Sequence, residues 1–271
     1  MSAPESAPGG KNESEALGPT MPKQHKIQID SLSLPSLPLT AFVNGLPLGS
    51  ATGFVVTKSG KSFLITNWHV VSGRHPDTNQ PSSSTGGIPD ELQVMHHLKR
   101  GLGNWGAFSV RLLDAVGNPG WLEHSSGQRV DVVAIPLDPL PADVQLYPMN
   151  LALANVDLMP EPGIPVFIIG FPGISVAGAL PVWKTGHLAS DHDVDYSNKP
   201  AFLIDATTRG GMSGSPVVAR MSGGYRSSQA FVISSGMTTR FLGVYSGRVR
   251  DNSEIGIVWR PIVIDDILRN Q

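Results

Sequence analysis

The chain has 271 residues and a mass of 28.8 kDa, which is long enough to bury a sizeable hydrophobic core. Its 20 Lys and Arg residues and 22 Asp and Glu residues give a formal net charge of -2, so the composition argues against nucleic acid as a partner. Cysteine is absent, which excludes disulfides, thiolate metal sites and a cysteine nucleophile.

Residues 1–40 open with a segment rich in Ser, Pro, Gly and Glu and end in SLSLPSLPLT. Because this region offers little apolar surface to bury, we expect a disordered or extended N-terminal arm. The first twenty residues lack the apolar stretch of a signal peptide, and no run of about 18 apolar residues follows elsewhere. The sequence therefore predicts a soluble, cytoplasmic protein that does not use a membrane as a partner.

From residue 41 onward the sequence consists of short β-branched and aromatic runs separated by turn residues. Examples are FVVTKSGKSFLIT at 54–66, VDVVAIPL at 130–137 and FLGVYSGRV at 241–249. The 30 glycines and 23 prolines also exceed the usual share of such residues. Many short strands with no repeated helical partner predict an all-β, antiparallel fold.

The proline-rich segment 136–162 resembles a connection between two halves of the chain. We therefore expect a first β-domain over residues 41–145 and a second over 146–271. The final run, PIVIDDILRN, predicts a C-terminal helix that begins at Pro261.

The most specific motif is a serine between glycines, in the segment Gly211-Met212-Ser213-Gly214-Ser215-Pro216. Glycines let the backbone turn tightly and direct several N–H groups at one point, as an oxyanion hole requires. An α/β-hydrolase elbow is excluded, because that motif needs glycine at position 215 and a histidine after the serine. Two orders of catalytic residues along the chain stay open. One is His-Asp-Ser, and the other is a subtilisin-like Asp-His-Ser order that uses Asp30. The subtilisin-like order needs an α/β sheet, which the composition does not favour.

Two residues that come earlier in the chain than Ser213, a histidine and an aspartate, complete a candidate catalytic set. His69 follows the hydrophobic run SFLITNW, where a strand end would hold its ring rigidly. Asp131 stands within the apolar run RVDVVAI, and a buried carboxylate there needs a partner such as an imidazole N–H. Each residue alone has an ordinary structural explanation, but the set of three favours nucleophilic catalysis.

These residues and their surroundings resemble the chymotrypsin-like (trypsin-like) serine proteases over about residues 50–265. The matching segments are GSATGFVVTKSGKSFLITNWHVV, DVVAIPL, VWKTGHLAS, FLIDATTRGGMSGSPVV and FLGVYSG, and they are most similar to the cysteine-free bacterial or intracellular branch. The resemblance implies two six-stranded antiparallel β-barrels followed by the C-terminal helix. His69 and Asp131 would come from the first barrel and Ser213 from the second.

The resemblance also implies roles for individual residues. Ser213 would be the nucleophile, His69 the general base and acid, and Asp131 the group that orients the imidazole. The N–H groups of Gly211 and Ser213 would form the oxyanion hole. Met212 stands where secreted members have an aspartate that receives a new N-terminus, so activation by that salt bridge is not expected.

The substrate pocket would have Thr207 as its floor, with a wall formed by Ser246, Gly247 and Arg248. Ser246 would also support Asp131. Because Thr207 carries no charge, the pocket is expected to prefer small, apolar or acidic side chains over Lys and Arg.

The sequence therefore predicts a serine endopeptidase that acts on protein or peptide substrates through an acyl-enzyme. It assigns no cofactor and no metal, and it leaves a regulatory partner protein open. Two alternatives remain: a catalytically silent protease-fold module that binds peptides, and a serine esterase on the same scaffold.

Overall fold

A computed structural model describes residues 27–83, 85–173, 180–250 and 252–271. Within these residues the chain forms fourteen strands and two short α-helices. The strands of the first half are β1 (Ser36–Val43), β2 (Leu46–Lys58), β3 (Lys61–Thr66), β4 (Glu91–Leu98), β5 (Trp105–Arg111), β6 (Leu122–Glu123), β7 (Val133–Pro136) and β8 (Val144–Gln145). Those of the second half are β9 (Pro165–Gly170), β10 (Val182–Leu188), β11 (Ala201–Asp205), β12 (Pro216–Arg226), β13 (Phe231–Arg248) and β14 (Ile255–Trp259). The helices are α1 (Trp68–Ser72) and α2 (Ile262–Ile267).

In the described part of the first half, the strands form an antiparallel sheet of eight, in the order β5-β4-β1-β2-β3-β7-β6, with β8 paired to β4. Six of these strands have four or more residues, whereas β6 and β8 have two residues each. A six-stranded barrel was expected here, whereas the described strands of the first half form a sheet of eight, because two short loop segments also pair with β7 and β4.

The described strands of the second half close into a six-stranded barrel in the order β10-β11-β14-β13-β12-β9, with antiparallel pairing throughout. The predicted antiparallel all-β class is confirmed. The C-terminal helix is confirmed as well: α2 follows Pro261 and buries Val263, Ile264 and Ile267.

Three apolar clusters form the core of the described chain. One fills the first sheet and another fills the second barrel, while the third lies between them. In this third cluster Phe54 of β2 meets Phe241 of β13 edge to face, with ring centroids 5.8 Å apart. Strand β2 is buried on both faces, because Phe54 and Val56 point into the shared cluster and Val55 into the first sheet. The shared core fixes how the two halves face each other, and hence the cleft between them.

The start of the described chain is packed against both halves. Strand β1 pairs with β2 and β4, so residues 36–40, which the sequence assigned to the N-terminal arm, belong to the first sheet. Before β1, Asp30 forms an ion pair with Arg220. At the first residue of β1, the Ser36 hydroxyl donates to the Ile169 carbonyl at 2.8 Å. Residues 1–26 of the expected arm lie outside the described residues. The chain thus contacts the second barrel before it enters the first sheet.

In the four described ranges there is no helix that is both long and apolar enough to cross a membrane.

His96, on β4, is a buried histidine for which the described residues provide no hydrogen-bond partner at either ring nitrogen. Burial, with a smaller effect of the neighbouring His97 charge, lowers the pKa of His96 from 6.5 to about 4. Its ring is therefore neutral in the fold, while the unfolded chain takes up the proton near pH 6.5. Because the unfolded state binds more protons between these values, the free energy of unfolding should fall as pH drops from 6.5 to 4.

Between pH 7 and pH 4, we expect the loss in free energy of unfolding to be smaller in His96→Leu than in the wild type, by on the order of 3 kcal/mol. Urea unfolding at pH 7 and pH 4 measures it. His187, an exposed histidine on β10, provides the control, since His187→Leu should leave the pH dependence as in the wild type. Equal pH dependence in the His96→Leu and wild-type proteins would contradict the prediction.

Candidate active site

His69 and Asp131 meet because their flanking strands are neighbours. His69 lies in α1, directly after β3, and Asp131 lies two residues before β7. These strands pair antiparallel, with Thr66 opposite Val133, so the end of one is beside the start of the other. The pairing register therefore brings the two side chains together across 62 residues of sequence.

Asp131 is almost fully buried, and its carboxylate accepts three hydrogen bonds. Oδ1 accepts from the backbone N–H of His69 at 2.8 Å, and Oδ2 lies 2.7 Å from His69 Nδ1. Since a carboxylate only accepts, Nδ1 carries the proton and Nε2 is left as the basic nitrogen. The Ser246 hydroxyl donates to the same Oδ2, and Asn67 donates to the Asp131 carbonyl at 2.7 Å.

These contacts change the basicity of His69. Burial by itself lowers the pKa of the ring, but the charge of Asp131 and the hydrogen bond to it act in the opposite direction and together outweigh burial. The pKa of His69 is therefore raised from its ordinary value of 6.5. A histidine held in this way is a stronger proton acceptor than a free imidazole.

Ser213 lies on the loop between β11 and β12 and faces the same cleft as His69. Its hydroxyl donates to the Ser246 carbonyl at 3.1 Å, and no hydrogen bond between described residues joins it to the His69 ring. The side chain must therefore rotate before His69 can take its proton, and such contacts are often made only in the substrate complex. Ser215, two residues on, is fully buried and lies away from the cleft.

The loop that carries Ser213 has a backbone that requires glycine. Gly211 has a φ of 95° and Gly214 a φ of 85°. A Cβ on Gly211 would lie 2.3 Å from the Phe171 carbonyl oxygen, and one on Gly214 would lie 2.0 Å from the Thr52 carbonyl oxygen. Within the described chain neither the Gly211 nor the Ser213 N–H donates a hydrogen bond, so both are free to bind an oxyanion.

Thr52, on β2 of the first sheet, anchors this loop of the second barrel. Its N–H donates to the Ser213 carbonyl at 2.8 Å, and its hydroxyl donates to the Gly211 carbonyl at 2.8 Å. The same hydroxyl accepts from the Phe171 N–H at 2.9 Å. Because Thr52 is fully buried, these bonds are shielded from water and hold the backbone on both sides of Met212.

We expect Thr52→Val to lower kcat by about 100-fold while changing KM much less, because loss of the hydroxyl leaves two buried backbone groups unpaired and lets the loop shift. Steady-state kinetics on a peptide substrate measure both constants. Thr52→Ser keeps the hydroxyl and should restore most of kcat. Wild-type kcat in a folded Thr52→Val protein would show that the hydroxyl does not position the loop.

Two cavities adjoin His69 and Ser213, and both residues line each of them. One, of about 150 Å³, is bordered mainly by small and apolar residues, including Leu48, Val70 and Pro89. The other, of about 570 Å³, is more polar and includes Lys199 and Arg248 among its lining residues. An extended chain that fills both cavities would contact His69 and Ser213.

The larger cavity has a rim that spans the two halves of the molecule. Lys199, from the second half, forms an ion pair with Asp77 of the first half, and its ammonium group lies 6.0 Å from the ring centre of Trp259. Sequence reasoning missed this rim, because Asp77 and Lys199 stand in polar loops that carry no motif.

Three of the four expected pocket residues line the larger cavity, and the fourth, Thr207, does not. Ser246, Gly247 and Arg248 line the larger cavity, as a wall would. Thr207 is exposed and lines neither of the two cavities that contain Ser213, whereas its neighbour Thr208 is buried and contacts Tyr245. The role of Thr207 as a pocket floor stays a prediction. Side chains of successive residues in extended backbone point in opposite directions. An assignment that is wrong by one residue therefore places the side chain on the opposite face.

Thr52 and Asn67 were also missed by sequence reasoning. Both adjoin the recognised segments, Thr52 in TGFVV and Asn67 directly before Trp68-His69. A small polar residue beside an apolar run that is buried on both faces is a signal for a hydrogen-bonding role, but it does not identify the partner.

No group of three or more His, Asp or Glu side chains suited to a metal ion occurs among the described residues. The expectations of no metal and no cofactor stay predictions.

Comparisons with known proteins identify a family and structural relatives of the fold. The family model for the trypsin-like peptidase domain matches residues 51–223. No curated protein matches the chain. Among solved structures, the MamO protease domain of Magnetospirillum magneticum is 18% identical, with a TM-score of 0.50 over 89% of this chain and 98% of that one. The Rv3671c protease of M. tuberculosis in its active form is 17% identical, with a TM-score of 0.47 over 88% and 81% of the two chains.

Proposed function

The chain belongs to the trypsin-like peptidase domain family, and on this premise we propose that it is a serine endopeptidase with His69, Asp131 and Ser213 as its catalytic residues. The observation that carries the proposal is the pair formed by half-buried His69 and buried Asp131, which faces the same cleft as Ser213. A carboxylate that fixes the tautomer of a histidine beside a serine is the arrangement that activates a hydroxyl nucleophile.

In the proposed reaction, Ser213 Oγ attacks the scissile carbonyl while His69 Nε2 takes its proton. The oxyanion is stabilised by the N–H groups of Gly211 and Ser213. His69 then gives the proton to the leaving amine, and water hydrolyses the acyl-enzyme by the same steps in reverse. Asp131 stays ionised throughout and stabilises the imidazolium.

The two cavities favour cleavage within a chain over removal of terminal residues. Substrate residues can extend away from Ser213 on both sides, into the apolar cavity and into the polar one. An exopeptidase instead needs one side closed, with a charged group placed to bind a chain terminus. The geometry therefore supports protein or peptide substrates bound in an extended form.

Two other functions compete with this proposal. A silent peptide-binding module would share the fold and cleft, but it has no physical need for Asp131 to accept hydrogen bonds from both His69 and Ser246. A serine esterase would use the same catalytic groups, since acyl-enzyme chemistry is common to both. The larger cavity, of about 570 Å³, supports a polypeptide over a small ester.

Treatment with a small fluorophosphonate, followed by mapping of the modified residue and by digestion of an unstructured protein, tests the proposal. We expect modification at Ser213 and internal peptide fragments. A folded protein that is not modified would favour the silent module. Modification with ester hydrolysis but no peptide cleavage would favour the esterase. The expected cytoplasmic location and a regulatory partner are open to separate tests in cells.

A further inference from the structure

Tyr245 is a large, buried side chain that lies beneath the loop of the nucleophile. It stands on β13 and is 2% exposed. Its hydroxyl is 2.5 Å from Thr208 Oγ1, near the start of the loop. Its N–H donates to the Ser215 carbonyl at 2.9 Å and its carbonyl accepts from the Gly214 N–H at 2.8 Å, both near the end of the loop. The residue is therefore attached to both ends of the segment that carries Ser213.

The ring also packs directly against β14 on the other side. A Cβ on Gly256 would lie 2.6 Å from Cε2 of the Tyr245 ring and 3.3 Å from its hydroxyl oxygen. The same apolar cluster contains Ile204, Ala206 and Met212. The space between the nucleophile loop and strands β13 and β14 is therefore filled by the tyrosine ring.

This space matters because of where a substrate carbonyl must sit. Ser213 Oγ lies 3.1 Å from the Ser246 carbonyl, so a scissile carbonyl within its reach places the preceding Cα beside Ser246 and Gly247. A side chain on that Cα that points toward the barrel meets the loop and the strands around Tyr245. Among the described residues, neither of the two cavities that Ser213 lines includes Tyr245 or Thr208.

We infer that Tyr245 is a specificity-determining residue that restricts the side chain before the scissile bond to a small one, such as Gly, Ala or Ser. This inference rests on the proposed endopeptidase function. A larger side chain would have to displace a close-packed ring and break its hydrogen bond to Thr208, since close-packed interiors do not yield without cost. The inference narrows the broader expectation of small, apolar or acidic residues, because it excludes large apolar ones.

Two peptidyl diphenyl phosphonates that differ only in an Ala-like or a Phe-like side chain beside phosphorus test the inference directly. Ser213 Oγ attacks the phosphorus, one phenoxide leaves, and phenol forms as it takes a proton. The rate of modification of Ser213 therefore reports which side chain fits. For the wild type we expect the Ala-like probe to react at least about 100-fold faster, because a hydrophobic site discriminates about 10- to 200-fold for a single methylene.

Variants of Tyr245 separate the ring from the hydroxyl. Tyr245→Val removes the ring, so the rate of the Phe-like probe relative to the Ala-like one should rise at least about tenfold. Tyr245→Phe keeps the ring and should keep the wild-type ratio. Phe202→Val is a matched control, because Phe202 is fully buried in the same cluster but packs against His192. This control should lose stability and keep the wild-type ratio.

The outcomes distinguish this inference from the proposed function. If a small fluorophosphonate without a side chain fails to modify folded wild-type protein, both the proposed endopeptidase function and the role of Tyr245 are overturned. If it modifies Ser213 while the two phosphonates react equally fast, only the role of Tyr245 is overturned. An unchanged ratio in a modified Tyr245→Val protein would also overturn it. If Tyr245→Val does not fold, Tyr245→Leu, which removes less volume, replaces it. The ratio of the two probe rates in the wild type and in Tyr245→Leu then tests the inference in the same way.

Discussion

Replacing Ser213 with alanine should abolish fluorophosphonate modification and reduce peptide hydrolysis on the order of 10⁶-fold, because the groups of a catalytic triad act as a unit. His69→Ala should have a comparable effect, since the hydroxyl then has no base. Folding should be little affected by Ser213→Ala, because the hydroxyl makes one hydrogen bond, to the Ser246 carbonyl. Peptide kinetics and mass mapping of the modified residue measure the two effects.

Ser215→Ala is the matched control for this prediction. The Ser215 hydroxyl is buried and has no hydrogen-bond partner among the described residues, so its removal leaves no group unpaired. We expect near wild-type activity and full modification at Ser213. An active Ser213→Ala protein, or modification at residue 215, would show that the nucleophile is wrongly assigned.

Asp131→Asn should fold and lose about 10⁴ in turnover. The carboxylate accepts three hydrogen bonds, from two donors of His69 and from the Ser246 hydroxyl. An amide offers one oxygen in place of two, so its NH₂ group must face at least one of these donors. The imidazole then loses the correct tautomer, and the proton is no longer held on Nδ1.

The same substitution should change the pH dependence of kcat/KM. His69 must be neutral to act as a base, so activity falls as pH drops below the pKa of His69. In the wild type that pKa is raised above 6.5 by Asp131. Without the charge, burial alone acts and lowers the pKa of His69, so the acid limb should move to lower pH in Asp131→Asn.

Asp193→Asn is the control, since Asp193 is an exposed acid that also pairs with a histidine, His192, at 2.7 Å. This pair lines neither cavity at Ser213, so both turnover and pH profile should be unchanged. Unaltered activity in Asp131→Asn would remove Asp131 from the site.

Much of the fold was predictable from local sequence. Short β-branched runs separated by turn residues predicted the antiparallel class, and Pro261 marked the start of α2. The N-terminal boundary was not predictable in the same way. SLPLT at 36–40 resembles an arm because its prolines and serines interrupt the apolar pattern, yet it forms part of β1. Its pairing with β2 and β4 compensates for a weak local preference.

For the candidate site, residue types and their order along the chain were enough to predict His69, Asp131, Ser213 and the glycines of the loop that carries Ser213. Gly211 illustrates such a local signal. Its φ of 95° is a backbone conformation that favours glycine, so the residue type reports the conformation of the loop.

The distant groups that contact this site are seen only in the three-dimensional packing of the chain. Thr52 reaches the nucleophile loop across 159 residues, and the Tyr245 hydroxyl reaches Thr208 across 37. Such contacts depend on how the first sheet packs on the second barrel and on which way each side chain points. A shift of one residue along a strand reverses that direction, as Thr207 and Thr208 illustrate. These contacts are set by how distant strands pack in the apolar clusters, and no short segment of the chain records that packing.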